Sequence, residues 1–194
     1  MNWQPRYTAY TCLGLLGVLG GFLLYLKLRS FRHNPEENTE ISSNTTTVEN
    51  MEHNPNYDTK VRGYRNNNPL NIRLSSNKWQ GEVVPSGDKS FCQFKTMAYG
   101  FRAAMVNIRS YITKHNCNTL QEIINRWAPW SDGNNPVGYA NKIINRWPDT
   151  FPNGDVAIDY KNQEQMTRLV YAMSIVENGS EPQMSDCINA FKLM

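Results

Sequence analysis

The sequence predicts a mainly α-helical α+β domain with a small β-hairpin region, preceded by one transmembrane helix. Three observations carry that expectation. Residues 7–26 hold no charge, several later segments repeat apolar side chains at helical spacing, and residues 72–94 contain short alternating runs separated by turn residues.

The uncharged run YTAYTCLGLLGVLGGFLLYL, residues 7–26, is long enough to cross the hydrocarbon core as a helix. A cleaved signal peptide is the rival reading. The run lacks an A-x-A type exit and passes directly into Lys27-Leu28-Arg29, which is the pattern of an uncleaved anchor. Tyr7, Tyr10 and Tyr25 suit an interfacial belt, and Gly17 with Gly21 makes a weak G-x-x-x-G spacing. Lys27, Arg29 and Arg32 outnumber Arg6, so the positive-inside tendency would keep the C-terminal side in the cytoplasm. That charge pattern opposes the expected placement of the folded part on the cell-wall side of the membrane. Residues 34–60 hold six acids against Lys60 and few large apolar groups, so they read as a disordered polar and acidic linker. The expected organisation is therefore 1–33 as anchor with a basic flank, 34–60 as linker and 61–194 as folded domain.

The folded part carries fifteen basic and eleven acidic groups in a chain of formal net charge +3, too mild an excess to indicate nucleic acid. It would suit a polyanion such as a cell-wall polymer and equally an ordinary solvated surface. Cys12, Cys92, Cys117 and Cys187 form no C-x-x-C pair, and His33, His53 and His115 are scattered, so no zinc site is expected. Three cysteines in the folded part close no disulfide framework.

Ile72 and Leu74 alternate as on a short strand, and GEVV and SFCQF continue the pattern across the turn Pro85-Ser86-Gly87-Asp88. From Thr96, an expected N-cap, Phe101, Ala104, Met105, Ile108, Tyr111 and Ile112 mark an amphipathic helix ending near Asn116. The pentapeptide IINRW then occurs twice, at 123–127 and 143–147, each time closing an apolar stripe that a proline follows. Both copies read as core helices, with Trp127 and Trp147 as packing residues. A helix over about Tyr160–Asn178 places Met166, Leu169, Val170 and Met173 on one face and ends at Gly179. A short helix from Ser185, with Ile188 and Phe191 inward, completes the chain.

Among the carboxylates, Glu122 completes the capping box Thr119-x-x-Glu122, and Glu164 and Glu181 belong to solvated positions. Glu177 differs. It shares the apolar face of its helix, while Gly179 and Pro182 open a loop beside it, so a desolvated carboxyl able to act as a general acid is expected there. A carboxylate bonded to backbone amides at a turn is the alternative. Glu82, in KWQGEVV, is the second candidate, with an exposed strand position as its alternative.

Five blocks in this order, RGYRNNNPLNIR, KWQGE, F..F....YGFRA, NRWAP and ENG, resemble the lysozyme-like domains of phage virion-associated and mobile-element proteins. The resemblance covers about residues 61–180. It departs at Leu70, where the family usually has glycine. LVYAMSIVENGSEP is also similar to the catalytic helix of lytic transglycosylases, with Asn178 in place of their serine. In those enzymes the asparagine-rich segment follows the glutamate helix; here it precedes it, as in a circularly permuted lysozyme-like domain.

The resemblance implies a peptidoglycan glycosidase or lytic transglycosylase in which Glu177 is the acid and NNNPLNIR lines the sugar groove. Arg65, Asn66, Asn67, Asn68, Asn71 and Arg73 offer partners for hydroxyl and N-acetyl groups, and Trp79, Trp127 or Trp130 offer stacking faces. One raised carboxyl suffices if the sugar's own acetamido or hydroxyl group assists at the anomeric carbon. No metal or cofactor is expected. The partners implied are peptidoglycan glycan strands, a membrane through residues 7–26, and a phage, conjugation or secretion assembly, with no nucleic acid. The rival is a non-catalytic wall-binding or virion structural protein of the same fold.

Overall fold

The structure, a computed structural model, describes residues 51–194. The first described segment runs through turns into α1 (Arg62–Arg65), a single helical turn. Strands β1 (Glu82–Val83) and β2 (Gln93–Phe94) pair antiparallel, with Glu82 opposite Phe94 and Val83 opposite Gln93. An isolated bridge between Arg73 and Phe91 extends the pairing to the amide-rich loop. Then come α2 (Met97–His115), α3 (Leu120–Trp127), a 3-10 turn (Trp130–Asp132), α4 (Pro136–Arg146), α5 (Gln163–Asn178) and α6 (Met184–Lys192).

Local chemistry accounts for the boundaries. Helix α2 ends because Asn116 adopts the left-handed conformation that asparagine tolerates (φ 55°), and α5 ends the same way at Gly179 (φ 72°). Helix α3 opens with the Thr119/Glu122 capping box, and α4 opens with Asn135 accepting the Gly138 amide and Pro136 in the first turn. At its start, α2 departs from expectation. Thr96 has extended geometry but its side chain accepts no capping hydrogen bond.

Helix α5 is the spine of the core, with Met166, Leu169, Val170 and Met173 fully buried. Helix α6 packs across α2 and α5, while α3 packs on α4 and α4 on α5. The inward residues of α6 are Cys187 and Ala190, with Ile188 and Phe191 half-buried, so its buried face is rotated from the expected one. The two IINRW copies also diverge. Trp147 lies under Arg168 (4.6 Å) and Arg146 (5.4 Å) at an edge of the core, whereas Trp127 turns its ring nitrogen to a carboxylate.

Two expectations about organisation are corrected here. Among the described residues no helix is long and apolar enough to cross a membrane. The longest of them, α2, carries Arg102, Arg109 and Lys114 along its length and buries one face only. The segment expected to span, 7–26, lies outside the described residues, so what the structure supports is a helical unit with a two-stranded sheet and not a fold headed by a membrane helix. The folded unit also begins before residue 61. Tyr57 is buried against Tyr64 (ring centroids 4.7 Å apart), and its hydroxyl donates to Asp186 at 2.8 Å and accepts the Gln183 amide at 2.8 Å. Of the expected linker, residues 34–50 lie outside the described residues.

Candidate active-site groove

The amide-rich loop is built mainly to hold itself. Asn66, Asn67 and Asn68 are each only 1% exposed. Asn67 donates to the carbonyls of Glu52, Phe94 and Lys95 at 3.0–3.2 Å. Asn68 donates to the carbonyls of Ile72 and Cys92 and accepts the Ile72 amide, all at 2.9 Å. Asn66 donates to Asp88 (2.9 Å) and accepts from Gln93 (3.1 Å). Buried polar groups must be paired, and amides that donate and accept at once satisfy the loop and the hairpin together. These three residues, expected to contact sugar, are instead the internal struts of the loop.

Two positive-φ asparagines explain why this residue type recurs: Asn67 (φ 49°) and Asn71 (φ 50°) occupy the left-handed region that asparagine visits more readily than most side chains. The second of them points outward. Its amide donates to Glu177 Oε2 at 3.2 Å, joining the loop to the end of α5. Asn178 makes a parallel link by donating to the Pro69 carbonyl at 2.7 Å.

Glu177 is half-buried and accepts two more side-chain hydrogen bonds on Oε1, from Trp127 Nε1 at 3.2 Å and the Tyr139 hydroxyl at 3.1 Å. Its setting therefore differs from the apolar one expected. Three donors from the loop, α3 and α4 converge on one carboxyl. Tyr139 is deeply buried, and that burial, reinforced by the charge of Glu177, pushes its phenol pKa well above the ordinary range. It stays a protonated donor, with the Met173 carbonyl as a second acceptor at 3.3 Å.

Glu177 lies in a groove of about 510 Å3. One wall is the loop and hairpin side, with Asn71, Arg73, Asn77, Trp79 and Phe91; the other comes from α2 and the α3–α4 connection, with Asn107, Tyr111, Trp127, Asp132 and Asn134. Tyr111 and Trp127 rings lie 6.4 Å apart, and Asn107 bonds the Tyr111 hydroxyl at 3.3 Å. Burial raises the Tyr111 phenol pKa as well, so it too is a neutral hydrogen-bonding group. Aromatic faces alternating with side-chain amides suit a ligand that has apolar ring faces and amide or hydroxyl edges.

The expected site residues thus divide. Glu177, Asn71, Arg73 and Trp79 share the groove. Arg65 is exposed and does not line it, and Trp130 is 63% exposed beside it without lining it. Glu82 is half-buried in β1 and accepts the backbone amide of the groove residue Trp79 at 3.1 Å, without itself lining the groove. Sequence reasoning missed Tyr139, Tyr111, Asn107, Asp132 and Asn134. Tyr139 shares the i, i+4 face of Ile143, a usable signal; Asp132 and Asn134 sit in SDGNNP, whose composition indicates a loop and nothing more.

No protein-family model matches the chain. It is similar to Protein P5 of Pseudoalteromonas phage PM2, with 36% identity over 129 residues, covering 65% of this chain and 76% of that protein.

Proposed function

Since the chain belongs to the same family as Protein P5 of Pseudoalteromonas phage PM2, we propose that it serves a phage-type need, cleaving the glycan strands of peptidoglycan with Glu177 as general acid. The observation that carries this reading is the meeting of Glu177 and Asn71 at 3.2 Å in a groove walled by aromatic rings and side-chain amides. A glycan strand laid along the groove brings its bridging oxygen to Glu177, which protonates the leaving sugar. The donors on Oε1 fix the carboxyl plane, which leaves Oε2 beside Asn71 as the oxygen facing the substrate. The anomeric carbon is then captured by the substrate's own hydroxyl, whose proton passes to the Glu177 carboxylate left by the first step, or by water. Water attacks directly or after the acetamido group has bridged to that carbon, with Asp132, the groove's other carboxylate, taking the water's proton.

A zymogram of the whole chain on purified peptidoglycan tests this. Clearing is expected from the wild type and is expected to drop by about 10²–10⁴ in Glu177→Gln. Undiminished clearing by that variant removes Glu177 from the chemistry. Mass analysis of released fragments separates the two outcomes at the anomeric carbon, because an anhydro end marks transglycosylation and a reducing end marks hydrolysis.

A second reading, a wall-binding or virion structural protein without chemistry, is favoured by one observation: a half-buried carboxylate held by Asn71, Trp127 and Tyr139 is also a sound structural junction. Glycan binding without clearing by the wild type decides for it.

A further inference from the structure

Arg62 and Arg73 both lie against the ring of Phe91, at 4.3 Å and 5.4 Å from its centroid. Their charges are handled differently. Arg62 is clamped by Asp88 through two hydrogen bonds of 2.7 and 2.8 Å, so its charge is matched within the protein. Arg73 is exposed and its guanidinium makes no ion pair among the described residues. Its backbone is nonetheless fixed, by the bridge to Phe91 and by the Cys92 thiol donating to its carbonyl at 3.4 Å. A guanidinium resting on an aromatic face loses less freedom when it binds, and its planar fork matches a carboxylate.

Arg73 is the one cation among the described residues lining the groove, which otherwise offers neutral amides, aromatic rings and the carboxylates of Glu177 and Asp132. A neutral N-acetylated glycan gives such a cation nothing to pair with. An acidic glycan gives it a partner and, without it, would meet the Asp132 carboxylate with no cation in the groove to offset it. Resting on the glycan reading above, we propose that Arg73 receives a carboxylate carried on a side arm of the strand, so that the groove selects acid-bearing wall glycan over neutral chitin-type chains. The acid is either the lactyl group of a muramic residue or an acid of the attached peptide, and both present the same chemistry.

Titration calorimetry on the full chain carrying Glu177→Gln, which leaves ligands uncleaved, tests the proposal with three probes: chitotetraose, a tetrasaccharide of alternating N-acetylglucosamine and N-acetylmuramic acid, and the same tetrasaccharide bearing peptides. At least one acidic probe is expected to bind about tenfold tighter than chitotetraose at low salt, as suits a charge-assisted pair. Adding Arg73→Gln should bring that ratio to about one, and Arg73→Lys should retain part of it. Preference for the bare tetrasaccharide alone assigns the lactyl acid; preference for the peptide-bearing one alone assigns the peptide. Equal binding of all three probes, or a preference that survives Arg73→Gln, overturns the assignment while leaving the glycan reading intact. Failure of all three to bind overturns that reading and this inference together. Unchanged thermal unfolding confirms that the exposed substitution has left the fold alone.

Discussion

Asn71 and Glu177 stand 106 positions apart in the chain, and their side chains meet at 3.2 Å. That hydrogen bond is where the loop after α1 closes on the end of α5. Asn71 also holds a left-handed backbone (φ 50°), so the informative substitution is Asn71→Gly, which permits the backbone and removes the amide. Clearing of peptidoglycan is expected to fall about 10- to 100-fold with unfolding nearly unchanged. Asn71→Leu should lose the same activity and about 1 kcal/mol of stability besides, read by denaturant titration.

Tyr139→Phe removes the buried hydroxyl that donates to Glu177 Oε1 at 3.1 Å and keeps the ring that packs α4 on α5. Stability should drop by about 1 kcal/mol, the usual worth of a hydrogen bond, and kcat by about tenfold as the carboxyl loses one of its three anchors. A variant with full kcat would reduce Tyr139 to a packing residue.

Gly100, on α2, faces the loop so closely that a Cβ there would stand 2.0 Å from the Asn67 carbonyl oxygen and 2.7 Å from Pro69 Cδ. Alanine ordinarily strengthens a helix by about 1 kcal/mol over glycine. Here the clash with backbone should outweigh that gain and leave Gly100→Ala about 2 kcal/mol less stable by denaturant titration. Activity should fall with it, because the loop that must shift also carries Asn71.

Acid stability should depend on Asp88. The Arg62 guanidinium beside it holds its carboxyl far below the usual carboxylate range, helped by the Asn66 amide and the backbone amides of Ser90 and Phe91 and opposed by burial. A carboxyl depressed in the folded state stabilises it above the unfolded-state value, near pH 4 for aspartate, and that contribution is lost as pH falls further. Arg62 is about half exposed, so salt should weaken the effect. Melting temperatures from pH 6 down to pH 2 should therefore fall less steeply for Asp88→Asn than for the wild type. Parallel curves would show that the pair is silent.

The helices were legible because each wrote its own period and stop. The apolar stripe of α5, Gly179 beyond it and the Thr119/Glu122 box at α3 are local patterns, and local patterns survive in one dimension. Glu177 could be singled out for the same reason. The side of the chain on which each asparagine works could not, since Asn68 and Asn71 differ in burial through partners 24 and 106 residues away. Trp127 illustrates the same limit. Its place in an apolar stripe is what a core residue shows, and only the fold reveals a ring nitrogen turned to Glu177. Likewise Tyr57 sits in a stretch of linker-like composition, and its burial depends on α6, well over a hundred residues later.

The Tyr57 contact has a topological consequence. The chain enters the described unit and forms its last helix at one place, bonded through a single phenol to Gln183 and Asp186, with Tyr64 donating to the Ser180 carbonyl at 2.7 Å close by. One phenol thus ties the opening turns of the described unit to the start of α6, and loosening either loosens the other. The first and last parts of the described unit must therefore come together before either is complete, although they are synthesised more than a hundred residues apart.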